Sequence, residues 1–240
     1  MKPYVQLAEA RTPDGTVFSL HEHDGEFYLK NDGHDLMSTA LTYSEQMLSD
    51  IGCNLVKDRK HPRVLIGGLG LGYSLKRVLE IVGRPATVQV AEVVPEVIDW
   101  NRTFLAAHNG PLLDDERTTL YVGDVHECIK RAGKGAYDAI LLDVDDTPGS
   151  LVLPQNNRLY GRDGLRMIHN ALTPGGRVAF WLAEPTPRFL GYLAKAGFRT
   201  SEFPAKIHEK AKRARHRIYL GEKIPGGPGA SSGQGTRRAR

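Results

Sequence analysis

The feature that most constrains this chain is a strand that runs straight into glycine. Arg63-Val-Leu-Ile66 is a short apolar run, Gly67-Gly68-Leu69-Gly70-Leu71-Gly72 follows without a spacer, and Leu75 to Ile81 then repeats with helical period. Glycine turns tightly and carries no Cβ, so a ligand can approach the backbone closely. The helix that follows aims its unpaired N–H groups at whatever lies over the turn. A purely structural strand-to-helix turn reads the same way, so spacing has to discriminate. A dinucleotide fingerprint needs Gly-x-Gly-x-x-Gly. Counting from Gly68 and Gly70, the sixth position is Tyr73, and counting from Gly70 and Gly72 it is Leu75.

The surrounding rhythm predicts a doubly wound, mostly parallel α/β sheet behind a small N-terminal β cap. Thr87–Glu92, Thr119–Val122, Ala139–Asp143, Arg177–Leu182 and Arg217–Leu220 read as strands. Helices are expected over Pro95–Leu105, Gly164–Leu172 and Arg188–Ala196. Before the glycine turn, Thr16–Leu20 and Glu26–Lys30 form a hairpin pattern around His23-Asp-Gly25. Asn31-Asp-Gly33 marks a second turn, and a helix is expected over Ser38–Ile51. The expected organisation is a cap with its helix over 1–55, a catalytic domain over 56–221 and a disordered basic tail over 222–240.

Charge is unevenly placed. The net charge of +4 comes from the C-terminal end, where residues 206–217 (KIHEKAKRARHR) carry six Lys/Arg against one Glu. The first 205 residues are net −4. The segment is either a solvated loop or a handle for an anionic partner such as RNA. No apolar run is long enough for a membrane helix. Cys53 and Cys128 lack metal-ligand or disulfide-framework spacing, and a cytoplasmic setting is expected. His21-Glu22-His23 puts two imidazoles on one strand face but supplies no third ligand, so no metal is expected.

Three acids fall at successive strand ends, on the edge where open α/β sheets bind ligands. Glu92 stands about twenty residues past the glycine loop, where a carboxylate accepts both ribose hydroxyls. Asp124, in Val122-Gly-Asp, lies where a base amino group would sit. Asp143 ends the next strand. With Gly68, Gly70 and Gly72 beneath an amino-acid limb, these positions suit an adenosine carrying a sulfonium. Each acid alone reads more readily as a loop carboxylate or helix cap; the coincidence at successive strand ends is what points to a ligand.

Taken together, VLIGGLGLGYSLKRVLE, AEVVPEVIDWNR, YVGDVHECIK, YDAILLDVDDTPG, RLYGRDGLRMIHNALTPGGRVAFW and DGHDLMSTALTYSEQML resemble the spermidine synthase (polyamine aminopropyltransferase) family of the class I methyltransferase fold. The resemblance implies that Glu92 binds the donor ribose and Asp124 the adenine. It implies that Asp143 orients or deprotonates an attacking amine, that Asp146 and Glu45 hold the acceptor, and that Tyr43 helps to position it. It also suggests a homodimer.

The loop departs from that pattern. The family reads Gly-Gly-Gly-Asp-Gly-Gly and faces its aspartate to the ammonium of decarboxylated S-adenosylmethionine, whereas this loop has no acid. Ser44 and Val144 are further departures. The loss moves the expected donor toward intact S-adenosylmethionine and the expected reaction toward methyl transfer to a small amine. Aminopropyl transfer and an RNA-directed or non-catalytic role stay open as alternatives.

Overall fold

The computed structural model describes residues 3–12, 15–144 and 156–225. The chain opens with an antiparallel meander of four strands, β1 (Val5–Arg11), β2 (Val17–His23), β3 (Glu26–Asn31) and β4 (His34–Ser38), paired in that order. Two tight turns set its register. Asp24 and Gly25 (φ 51° and 85°), then Asp32 and Gly33 (φ 47° and 81°), occupy the left-handed region that a two-residue hairpin loop requires. The helix expected from Ser38 begins later, as α1 (Tyr43–Cys53). Ser38 is instead the last residue of β4, paired with Tyr28, because ladder pairing outweighs the weak helical preference of Ser and Thr.

The large sheet contains β5 (Arg63–Gly67), β6 (Thr87–Glu92), β7 (Thr118–Val122), β8 (Tyr137–Leu142), β9 (Leu172–Leu182), β10 (Phe198–Ala205) and β11 (His216–Lys223), in the order β10-β11-β9-β8-β5-β6-β7. Neighbouring strands from β9 to β7 are parallel, and β11 runs antiparallel to both β9 and β10. The sequence pattern does not mark β1, β4 or β10. The last is an edge strand with alternating exposure that contains Pro204, a residue the edge tolerates.

Helices cover both faces. α1, α2 (Tyr73–Ile81) and α3 (Pro95–Thr103) share one core with the cap, and α5 (Val125–Ala132), α7 (Arg162–Ala171) and α8 (Arg188–Lys195) build the other. The short helices α4 (Ala106–Asn109) and α6 (Asn157–Tyr160) complete the set. β8 shows how one strand serves two cores. All six of its residues are buried; Ala139 and Leu141 face the first cluster, and Ile140 and Leu142 the second. α1 lies directly on this strand, since a Cβ at Gly52 would overlap the Leu141 side chain. The helix is thus packed on the large sheet rather than on the cap alone.

At the amino end of β8, Asp138 is 5% exposed and fully partnered. It accepts from Arg59 Nη1 at 2.6 Å, Arg63 N at 2.8 Å and Thr173 Oγ1 at 2.9 Å. Strand order reverses between β5 and β8, and this topology opens a crevice at their carboxyl ends. Register places the β10–β11 connection, residues 206–215, at that same end, because Arg217 pairs with Leu182 at the close of β9. Lys210, Lys212, Arg213 and Arg215 are exposed there. No described helix is long and apolar enough to cross a membrane.

Candidate functional site

The crevice is a cleft between the cap and the carboxyl edge of the sheet, about 660 Å³ when its open mouth is counted. Its floor is the glycine loop. Gly68, Gly70 and Gly72 have φ of 87°, 51° and 88°, so the loop needs left-handed backbone three times in five residues. A Cβ on Gly68 would stand 2.6 Å from the Asp143 carbonyl oxygen. Gly72 caps α2, whose first N–H groups look back over the turn.

Two asparagines that the sequence reading passed over hold this loop. Asn101 in α3 donates Nδ2 to the Gly70 carbonyl at 2.8 Å, and Asn109 at the end of α4 donates to the Leu71 carbonyl at 2.6 Å. Both are buried. An asparagine inside an otherwise ordinary helix, as at position 101, is a poor helix former and was the available signal.

Glu92, at the end of β6, is 7% exposed. Its Oε2 accepts from Leu69 N at 2.8 Å and its Oε1 from Val94 N at 2.9 Å. Burial pushes its pKa up, and these backbone donors only partly offset that. The Val93 and Gly70 N–H groups also favour its charged form. The carboxylate therefore fixes the loop while lining the cleft.

Asp124 follows β7 and starts α5, where its Oδ1 accepts from His126 N at 2.7 Å. The spacing Asp124-x-x-Glu127 is the capping pattern that marks this helix, which the sequence reading leaves out. Arg158 of α6 pairs with the other carboxylate oxygen. Asp143 follows β8, half-buried on the cleft wall, with its N–H 3.2 Å from the Gly67 carbonyl. Asn156 and Val144 complete this side, with Asn156 Nδ2 donating to the Val144 carbonyl at 3.2 Å.

Opposite stand Phe18, Leu29, Leu36 and Met37 of the cap. The cleft thus has a carbon roof and an acidic floor. Gly68, Gly70, Glu92, Asp124 and Asp143 all line it, whereas Tyr43, Glu45 and Gly72 do not, the last packing against Asn101 and Leu112. Tyr43 is half-buried at the first position of α1. Glu45 is 6% exposed and accepts from Ser44 Oγ at 2.7 Å; burial raises its pKa. Beside it, burial and the nearby Glu26 and Glu45 push the Tyr73 phenol up to about 12. Asp146 lies outside the described residues. Trp100 is buried in the helix face of α3 and does not border the cleft. His21 bonds Ser19 Oγ at 2.9 Å and His23 stacks on Tyr4; among the described residues no group of three acids, histidines or cysteines is arranged to hold a metal.

Against known structures, 91% of the chain superposes on 73% of a spermidine synthase crystallised with the transition-state analogue AdoDATO, with a TM-score of 0.75 at 18% identity. The fold is that of the spermidine synthases. The enzyme from Thermotoga maritima gives 0.69, again at 18% identity, over 91% of this chain and 72% of its own. In sequence, 118 residues are 34% identical to putrescine N-methyltransferase 4 of Nicotiana tabacum, covering 48% of this chain and 28% of that protein. A polyamine aminopropyltransferase from Nitrosomonas europaea is 31% identical over 122 residues, 51% of this chain and 34% of its own length. The chain therefore matches only about a third of the length of these relatives. No family model matches it.

Proposed function

We propose that the chain is a transferase that uses an S-adenosylmethionine-type donor and passes a methyl group to a small amine. The observation that carries this reading is the cleft itself. Glu92, Asp124 and Asp143 line one cleft with Gly68 and Gly70, at the sheet edge where open α/β folds bind nucleosides. The residues fit the donor: Gly68 and Gly70 present bare backbone to the cleft, and the Glu92 carboxylate lines it beside them. When bound, the donor supplies a carbon on a positively charged sulfur, which is a good leaving group.

The remaining work falls to the chain. Glu92 would hold the ribose hydroxyls and Asp124 the base. Asp143 would orient the amine and take the proton that it must lose, while the amine lone pair forms the new C–N bond. The C–S electron pair returns to sulfur. Orientation of this kind is worth up to about 7–11 kcal/mol, and a positioned base about 10²–10⁴-fold. Glu45, Tyr43 and Asp146 are proposed for the acceptor side, with an amine as acceptor because the matched relatives are named for putrescine and polyamines. The proposed setting is the cytoplasm, and the proposed assembly is a homodimer.

One observation favours aminopropyl transfer instead. The described lining contains three carboxylates and no Lys, Arg or His to meet the carboxylate of intact S-adenosylmethionine. On the methyl-transfer reading that group is met by the N–H donors at the start of α2. Titration calorimetry with both donors decides: tighter binding of S-adenosylmethionine supports methyl transfer, and far tighter binding of the decarboxylated donor overturns it.

A further inference from the structure

The roof of the cleft is not featureless. Met37 lies on β4 opposite Leu29, and its thioether is pressed against the backbone of Gly70. A Cβ built on Gly70 would overlap Met37 Sδ and stand 3.1 Å from its Cε. Position 70 and position 37 therefore compete for one space, and the methionine fills it. On the reading given above, ribose lies at Glu92 and base toward Asp124. The limb beyond the ribose then runs over the glycine loop, where Met37 of the cap covers Gly70. On that side the cap offers an uncharged side chain.

We infer that Met37 is the donor-selecting residue: its soft, uncharged thioether closes the limb's channel over Gly70 and leaves room for a limb that carries a carboxylate. The inference rests on the adenosyl-donor reading. It adds that the choice between donors is made by the cap and not by the glycine loop alone. An acid at residue 70 cannot be accommodated while Met37 remains.

The test is calorimetry on the full chain with S-adenosylmethionine, its decarboxylated form and 5′-methylthioadenosine, which has the nucleoside but no limb. In Met37→Glu the ratio of the two donor affinities should move by about tenfold or more toward the decarboxylated donor, as expected for one added charge near a partly screened limb. Methylthioadenosine should stay within about threefold, and Met37→Leu should leave all three ligands near wild type. Should Met37→Glu fail to fold, Met37→Ala with Gly70→Asp delivers the charge from the other wall and should shift the ratio the same way. Asp tolerates the left-handed backbone better than most residues. Gly70→Asp alone should abolish binding of all three. An unchanged donor ratio in the charged variants, with methylthioadenosine still bound, overturns the inference and spares the nucleoside cleft. Failure of wild type to bind methylthioadenosine overturns the underlying reading and the inference with it.

Discussion

The two ends of β8 treat a carboxylate in opposite ways. At the amino end, Asp138 is closed off by Arg59, Thr173 and the Arg63 N–H, a complete set of donors that includes a cation. At the carboxyl end, Asp143 faces a cleft that it shares with Glu92, whose protein partners are backbone N–H groups and whose pKa burial has raised. Both ends sit on the same buried sheet. The carboxylate that holds the fold is closed off by a cation and buried away from any cleft, whereas Glu92 is held by backbone N–H groups at the wall of one, and its desolvation is the stored cost.

The contrast breaks most easily at Asp138. Asp138→Ala should leave Arg59 and the Arg63 N–H without their acceptor and cost about 3 kcal/mol in urea unfolding, with methylthioadenosine affinity of the folded protein unchanged. At the other end the effects should invert. Asp143→Asn should lower turnover about 10²-fold while donor affinity stays within a few-fold, as single-turnover kinetics beside calorimetry would show. Equal loss of stability in both variants would mean that the two ends are alike.

Glu92→Gln should weaken nucleoside binding by about tenfold or more, because hydrogen bonds to a charged group are the stronger ones. Its unfolding free energy should fall by about 1–3 kcal/mol, since the amide nitrogen cannot accept from one of the two backbone N–H groups that the carboxylate serves. The pH dependence sharpens the point. The folded pKa of Glu92 lies above its unfolded value, so its contribution to stability is full below the unfolded value and is lost as pH rises through the folded one. Donor affinity needs the charged form and should rise over that same window. Melting curves and calorimetry followed upward from the ordinary carboxylate range should therefore move in opposite directions, and Glu92→Gln should flatten both. Smallest of all, Lys212→Glu with Arg213→Glu should shift the thermal midpoint by no more than about 2 °C, these being exposed side chains away from any packed contact. Salt-dependent RNA binding that these substitutions remove would instead favour an anionic partner for the basic connection.

Much of the site was legible because it lies at strand ends. Glu92, Asp124 and Asp143 each close an apolar run, and the parallel sheet brings such ends to one edge. Glu45 and Tyr43 follow from the family resemblance alone, and neither lines the cleft. α5 was passed over although Asp124 and Glu127 announce it. β10 was passed over because an edge strand with one exposed face carries little apolar signal.

By itself the sequence determined the strand–glycine–helix turn, the β-α alternation and the acids at strand ends, since these follow from period and backbone freedom within a few residues. Only the tertiary structure decided that Asn101 and Asn109 fasten the loop, that Arg158 answers Asp124 and that Met37 roofs Gly70. Each of these joins segments far apart in the chain, and a contact that depends on where separate elements pack leaves no local pattern to read.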